Sequence, residues 1–221
     1  MRTPQRAFNR ERALPYIGLE KPIEPQARVR LNLTRSGIVR ATIVPGGEVT
    51  YIVREYGLVD AHLRQLNIQA ICIGVDCVAL QQNAVTAQVT SVYPNASSYA
   101  KRLGKPGARI ASAESWGEPG TVEFVESTSP SERPHVFNLL TQWNAGKSPK
   151  ASESSRKDGV QERNRWLNDC LMKLEIELEK TQTRSVAFPW RLGCSSGKRQ
   201  WPEVKSMINA FARRNPRVRV Y

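Results

Sequence analysis

The residues best suited to chemistry in this chain lie in one short stretch, WRLGCSSGKRQW, between a strand-like run and a helix-like run. Gly193, Cys194, Ser195, Ser196 and Gly197 form its centre. Side chains this small let backbone N–H groups close around an anion, and the amino end of the helix that follows adds roughly half a positive charge. A phosphate suits such a loop, although glycine and serine also build ordinary tight turns. Cys194 would act as a nucleophile only where its surroundings favour the thiolate, and no histidine stands near it in sequence. Trp143 and Trp190 flank the carboxyl ends of expected strands, where ligands bind in open α/β sheets, so each is placed either to stack on a flat ring or to pack as core. His62 and His135 are isolated. Cys72, Cys77, Cys170 and Cys194 are scattered apart from one C-x4-C pair, a pattern of reduced thiols in a cytoplasmic or nuclear setting and not of a zinc site or a disulfide frame. No metal and no cofactor is expected.

Placing that loop requires strands and helices on either side of it. The run at 68–74, IQAICIG, is apolar without period two, as in a strand buried on both faces. Strands are further expected at 49–53, 109–113, 121–125, 136–141 and 185–188, with a closing strand at 218–221. The spacing at 84–93, AVTAQVTSVY, fits a helix through Val85, Val89 and Val92 and a strand through Val85, Ala87, Val89 and Ser91. A long loop is expected at 144–160, where almost nothing asks to be buried. Asp158 with Gln161 three residues on resembles a capping box, and Leu167, Leu171, Leu174 and Leu178, widened by Trp166 and Cys170, repeat at helical spacing. Pro202 suits the first turn of a last helix whose inner face is Val204, Met207, Ile208 and Phe211. Such alternation predicts an α/β fold with a mostly parallel or mixed central sheet and helices on both faces.

The first 26 residues read differently: Arg2, Arg6, Arg10, Arg12 and Lys21 are interleaved with Pro4, Pro15, Pro22 and Pro25, giving an irregular basic arm. A small hairpin is expected from 28–33 and 37–44, which puts a basic extension at 1–47 and the main domain at 48–221. Across all 221 residues, 33 Lys and Arg against 20 Asp and Glu give a formal charge of +13. A field of that sign concentrates polyanions, so a phosphorylated ligand or nucleic acid is an apt partner, while a solvated basic face would give the same number. No stretch approaches the ~20 apolar residues of a membrane-spanning helix, and MRTPQRAFNRERALPY lacks the apolar core of a secretory signal.

The run VAFPWRLGCSSGKRQWPEVKSMINAFARRNPRVRVY resembles the end of a macro domain: a strand, a G-C-G-type loop, a Trp opening a helix and a last V-x-V-Y strand follow in that order. HVFNLLTQWNAGKSP is similar to the family's inner strand ending in T-Q, and IQAICIGVDC to the strand that ends at the first ligand loop. The likeness covers about residue 48 to the end of the chain, and it favours a helix at 84–93. Within the family the chain most resembles the branch that hydrolyses ADP-ribose from modified carboxylates, whose C-I-S-x-D-C and G-C-G-L-D-x-x-x-W stand here as CIGVDC at Cys72 to Cys77 and GCSSGKRQW at Gly193 to Trp201.

The resemblance implies a three-layer fold that binds ADP-ribose, a related nucleotide diphosphate or an ADP-ribosylated protein. Asp60 would read the adenine amine, Val75, Asp76 and Asn83 would lie in and after the early strand, and Gly193 to Gly197 would wrap the diphosphate and distal ribose. Departures from the branch are plain. VALQQNAVTA stands where M-G-x-G-I-A is expected, Gly197 takes the place of the late aspartate, and 120–134 contains no lysine. These losses favour binding over the branch's covalent mechanism, while a residual ADP-ribosyl hydrolase or phosphatase activity stays open. The alternative from another class is a basic nucleic-acid-binding or assembly protein that keeps the fold without a working pocket, using Lys205, Arg213, Arg214, Arg217, Arg219 and the amino-terminal arm.

Overall fold

The doubly buried run forms the middle strand of a five-stranded sheet in the computed structural model. The structure describes residues 68–127, 134–144, 158–194 and 199–221, together with the backbone of 28–33 and 39–44. In chain order the strands are β1 (Arg28–Leu33), β2 (Val39–Val44), β3 (Ala70–Asp76), β4 (Val122–Val125), β5 (His135–Gln142), β6 (Ser185–Ala187) and β7 (Arg219–Val220). The helices are α1 (Ala84–Val92), α2 (Val160–Lys180) and α3 (Trp201–Arg214). The expected hairpin is present as an antiparallel pair, Leu33 opposite Val39 and Arg28 opposite Val44. The strand expected at 49–53 lies outside the described residues.

The main sheet runs β4-β5-β3-β6-β7, with β4 antiparallel to β5 and every other neighbour parallel. Alternation along β3 sorts its side chains to two cores. Ile71, Ile73 and Val75 pack with Val89 of α1, Ala96, Tyr99 and Leu140. Ala70 and Cys72 face the other way, against Leu167, Leu171, Leu174 and Leu178 of α2 and Val204, Ile208 and Phe211 of α3. Both faces are therefore covered, and the three-layer α/β expectation holds.

The 84–93 ambiguity resolves to helix because Asn83 caps it: its side-chain oxygen accepts the Thr86 N–H at 2.9 Å. Two local expectations are corrected. The segment at 109–113 is not a strand; Ile110 makes a lone bridge to Ala79, and Ser112 N–H turns back to Leu103 O at 2.7 Å, leading into a 3-10 turn at Ala113–Ser115. Asp158 does not cap α2. Gly159 holds the cap position without a side-chain bond, and Asp158 is used elsewhere.

His135 opens β5 buried, and its Nδ1 accepts the Ser127 N–H at 3.0 Å. Burial holds its pKa below the ordinary imidazole value, with Glu126 pulling weakly the other way. Since the folded state binds this proton less readily than the unfolded chain, His135 supports the fold above about pH 6.5 and withdraws that support as the pH falls. Urea unfolding at pH 7.5 and pH 5 is expected to show a smaller acid loss for His135→Gln than for the wild type.

Candidate functional site

β3 and β6 pair through Ala70 with Val186 and Ile71 with Ala187, the first two residues of β3 and the last two of β6, whereas β5 accompanies β3 along its whole length. Beyond Ile71 β3 runs on to Asp76, whereas β6 has ended at Ala187. The chain leaving β3 continues to α1 on one face, and the chain leaving β6 continues to α3 on the other. Neighbouring parallel strands whose connections depart to opposite faces leave a crevice at their carboxyl ends, the place where open α/β sheets bind ligands.

Gly74 lies on the part of β3 that runs on beyond β6, beneath the Leu192 side chain. It is the only residue of β3 that is not fully buried. Asn83 Nδ2 donates to its carbonyl at 2.9 Å, so the start of α1 is pinned to the strand. A Cβ at position 74 would stand 3.1 Å from Leu192 Cδ1 and 3.4 Å from Thr141 Oγ1, which leaves room for glycine and little else.

The opposite wall is the turn after β6. Pro189 is followed by Trp190, Arg191 at φ 57° and Gly193 at φ 66°, and Cys194 N–H closes onto Arg191 O at 2.8 Å. Two left-handed residues in so short a turn coil the backbone tightly, and one of them carries a side chain that resists this. Trp190, 61% exposed, lies 4.8 Å from the ring of Trp201 at the start of α3. Trp143 instead packs edge-on against Trp116 at 5.3 Å. Beneath the turn, Arg199 is 3% exposed; its Nη2 donates to Thr141 O at 2.6 Å, and its Cζ would lie 3.1 Å from a Cβ on Gly193.

Of the residues the sequence nominated, Gly193 and Cys194 stand in this turn and Asn83 stands at the α1 end of the crevice. Val75 is fully buried toward the α1 layer. Asp76 is also fully buried, its carboxylate accepting from Tyr99 Oη at 2.9 Å and from Gln142 Nε2. Burial raises the Asp76 pKa, while Gln142, Tyr99, Arg102 and Arg163 oppose the shift. Its role is to tie β3 to β5 and to the 3-10 turn at Ser98–Lys101. Asp60, Ser195, Ser196 and Gly197 lie outside the described residues. All four cysteines are free and buried. Burial raises the Cys194 thiol despite Arg199 and Arg191 nearby, and pushes Cys170 up to about 12, the opposite of an activated thiolate.

Several contributors escaped the sequence reading. Arg102 donates to the carbonyls of Asp76 and Ala79 and lies 4.3 Å over the Tyr99 ring, clamping the end of β3. Asp158 and Arg163 form a buried pair with Nε–Oδ1 and Nη2–Oδ2 both at 2.6 Å. Tyr99→Phe is expected to lower stability by about 1–3 kcal/mol, because the Tyr99 hydroxyl both accepts the Asp76 N–H at 3.1 Å and donates to its carboxylate. Equilibrium denaturation measures this, and an unchanged midpoint would contradict the assigned role.

No family model matches the chain, and neither does any curated protein. Solved structures do. The macrodomain of Mycobacterium tuberculosis DarG is similar at 20% identity and a TM-score of 0.52, over 75% of this chain and 93% of that one. The macrodomain of Thermus aquaticus DarG is similar at 20% identity and a TM-score of 0.50, over 70% of this chain and 87% of that one. Likeness at this distance is likeness of architecture. With its mixed β4-β5-β3-β6-β7 sheet and helices on both faces, the chain has the macrodomain fold.

Proposed function

We propose that the chain binds ADP-ribose, free or attached to a protein, in the crevice between the carboxyl ends of β3 and β6. The observation that carries this reading is that β6 ends beside Ile71 while β3 runs on past a partly buried Gly74, with α1 and α3 on opposite faces. Macrodomains place ADP-ribose at this end of the sheet, and the crevice here offers matching chemistry. Amide groups of the coiled turn at Gly193 and the amino end of α3 favour the diphosphate. The exposed indole of Trp190 offers a face for the base or a ribose. The net charge of +13 adds a long-range attraction for an anionic ligand.

Binding without hydrolysis is the activity these residues favour. Cys194 is held as a neutral thiol by burial, the 120–134 stretch has no lysine, and Gly197 replaces the branch's aspartate. Calorimetry of the full chain with ADP-ribose is expected to give saturable heat with one site per chain, accompanied by a change in tryptophan fluorescence. No saturable heat at millimolar ligand removes the proposal.

A further inference from the structure

Among the described residues, two donors of the buried Arg199 guanidinium have no hydrogen-bond partner. The residue is 3% exposed, Nη2 is satisfied by Thr141 O at 2.6 Å, and Nε and Nη1 have no partner among the described residues. Buried guanidinium donors are rarely left in this state, since each withdrawn from water without a partner destabilises the fold.

The nearby carboxylates do not neutralise it. Asp158 is occupied by two bonds from Arg163 at 2.6 Å and by the Trp143 and Asn144 N–H groups at 3.3 Å each. Asp76 is committed to Tyr99 and Gln142. The thiols of Cys170 and Cys194 stay protonated because burial raises both. Burial, and then Arg163, draw the guanidinium pKa down to about 10, which still leaves a cation at neutral pH. The result is a fixed positive charge under the Gly193 turn with two donors, on different edges of the guanidinium, unspent among the described residues.

We infer that Arg199 is the contact that selects a diphosphate in this crevice, its Nε and Nη1, on different edges of the guanidinium, each donating singly to an anionic oxygen. The inference rests on the ADP-ribose reading for the identity of the ligand, but the anion contact stands on the buried guanidinium itself. Arg199 is a specificity-determining residue here, and no bond-making step is assigned to it.

Two consequences separate this role from a structural one. A ligand contact held at a cost to the free protein should, when replaced by an apolar side chain, leave the ligand-free protein as stable as before or more so. A structural arginine should do the reverse. Calorimetry and thermal melting of the full chain, wild type against Arg199→Leu and Arg199→Lys, with ADP-ribose, inorganic pyrophosphate and adenosine as probes, read both.

The expected result is that Arg199→Leu weakens ADP-ribose and pyrophosphate roughly 10- to 100-fold, leaves any adenosine binding unchanged and melts no lower than the wild type, with Arg199→Lys between the two in affinity. Undiminished ADP-ribose affinity in Arg199→Leu overturns the assignment and leaves the ADP-ribose reading intact, as does a leucine variant that melts well below the wild type with its affinity kept. Wild-type binding of pyrophosphate but not ADP-ribose, lost in Arg199→Leu, supports the anion contact and overturns the ADP-ribose reading. No binding of either ligand by the wild type overturns both.

Discussion

Asp158→Ala is expected to cost about 3–5 kcal/mol of folding stability, a large fraction of what holds a domain of this size together. The carboxylate is 2% exposed and grips Arg163, itself 1% exposed, through both of its oxygens. It also accepts the Trp143 and Asn144 N–H groups just past the end of β5. Removing it takes the counter-charge from a buried guanidinium, which keeps its bond to Asn144 O at 3.3 Å, and an acceptor from two backbone donors, in a neighbourhood that already holds Arg199. Breaking a buried pair from one side is far more damaging than its net worth, because the surviving charge keeps its desolvation penalty. Asp158→Asn keeps one acceptor and should cost less. Urea unfolding of the two variants checks the order, and a loss below about 1 kcal/mol for the alanine variant would show that Arg163 finds another counter-charge.

Gly193→Val is expected to weaken ADP-ribose binding on the order of 100-fold while leaving most of the protein folded. At φ 66° a β-branched residue is strained by about 1–2 kcal/mol or more, so the turn will open toward ordinary backbone geometry. The new side chain would also begin 3.1 Å from the Arg199 Cζ, and Arg199 is held by Thr141 and has nowhere to retreat. Both effects fall on the turn between Leu192 and Cys194, at the edge of the core that α2 and α3 share. Gly193→Asn separates them: asparagine tolerates the left-handed region but still crowds the guanidinium. An asparagine variant that binds like the wild type would locate the effect in the backbone alone. Undiminished binding by the valine variant would remove the Gly193 turn from the site.

Elements with strong periodicity were legible from residue types alone. Leu167, Leu171, Leu174 and Leu178 all pack into the core from α2, and IQAICIG is the middle strand, because in both the pattern of burial leaves few alternatives. The last helix and the closing strand followed from Pro202 and from the apolar spacing beyond it. The strand expected at 109–113 failed since a short apolar alternation carries no information about whether a partner edge is free; here only Ala79 offers one bridge. Asp158 was misread as a cap because a carboxylate before a helix suits capping and ion pairing equally well, and its partner Arg163 lies one turn inside the helix.

The site was legible in outline and not in its charges. The Gly-Ser loop and the order of elements pointed to the end of the sheet after β6, where Gly193 and Cys194 stand. What sequence concealed was which polar groups turn inward. Asp76 was nominated as a ligand contact on its place in a motif, yet its carboxylate points into the protein toward Tyr99 and Gln142, partners 23 and 66 residues away. Arg199 sits in a K-R-Q run that reads as solvated surface, and only the packing of the Gly193 turn and the end of β5 against it shows that it is buried. Long-range burial of a polar side chain leaves no local periodic signal.

The most direct test of a ligand crevice between β3 and β6 is to titrate ADP-ribose into the isotope-labelled full chain and follow backbone amide and indole resonances. Saturable shifts are expected at Gly74, Asn83 and Gly193 and at the Trp190 indole, with the outer face of α2 around Met172 and Ile176 unmoved. Shifts confined to that outer face, or a spectrum unchanged at millimolar ligand, would contradict the account.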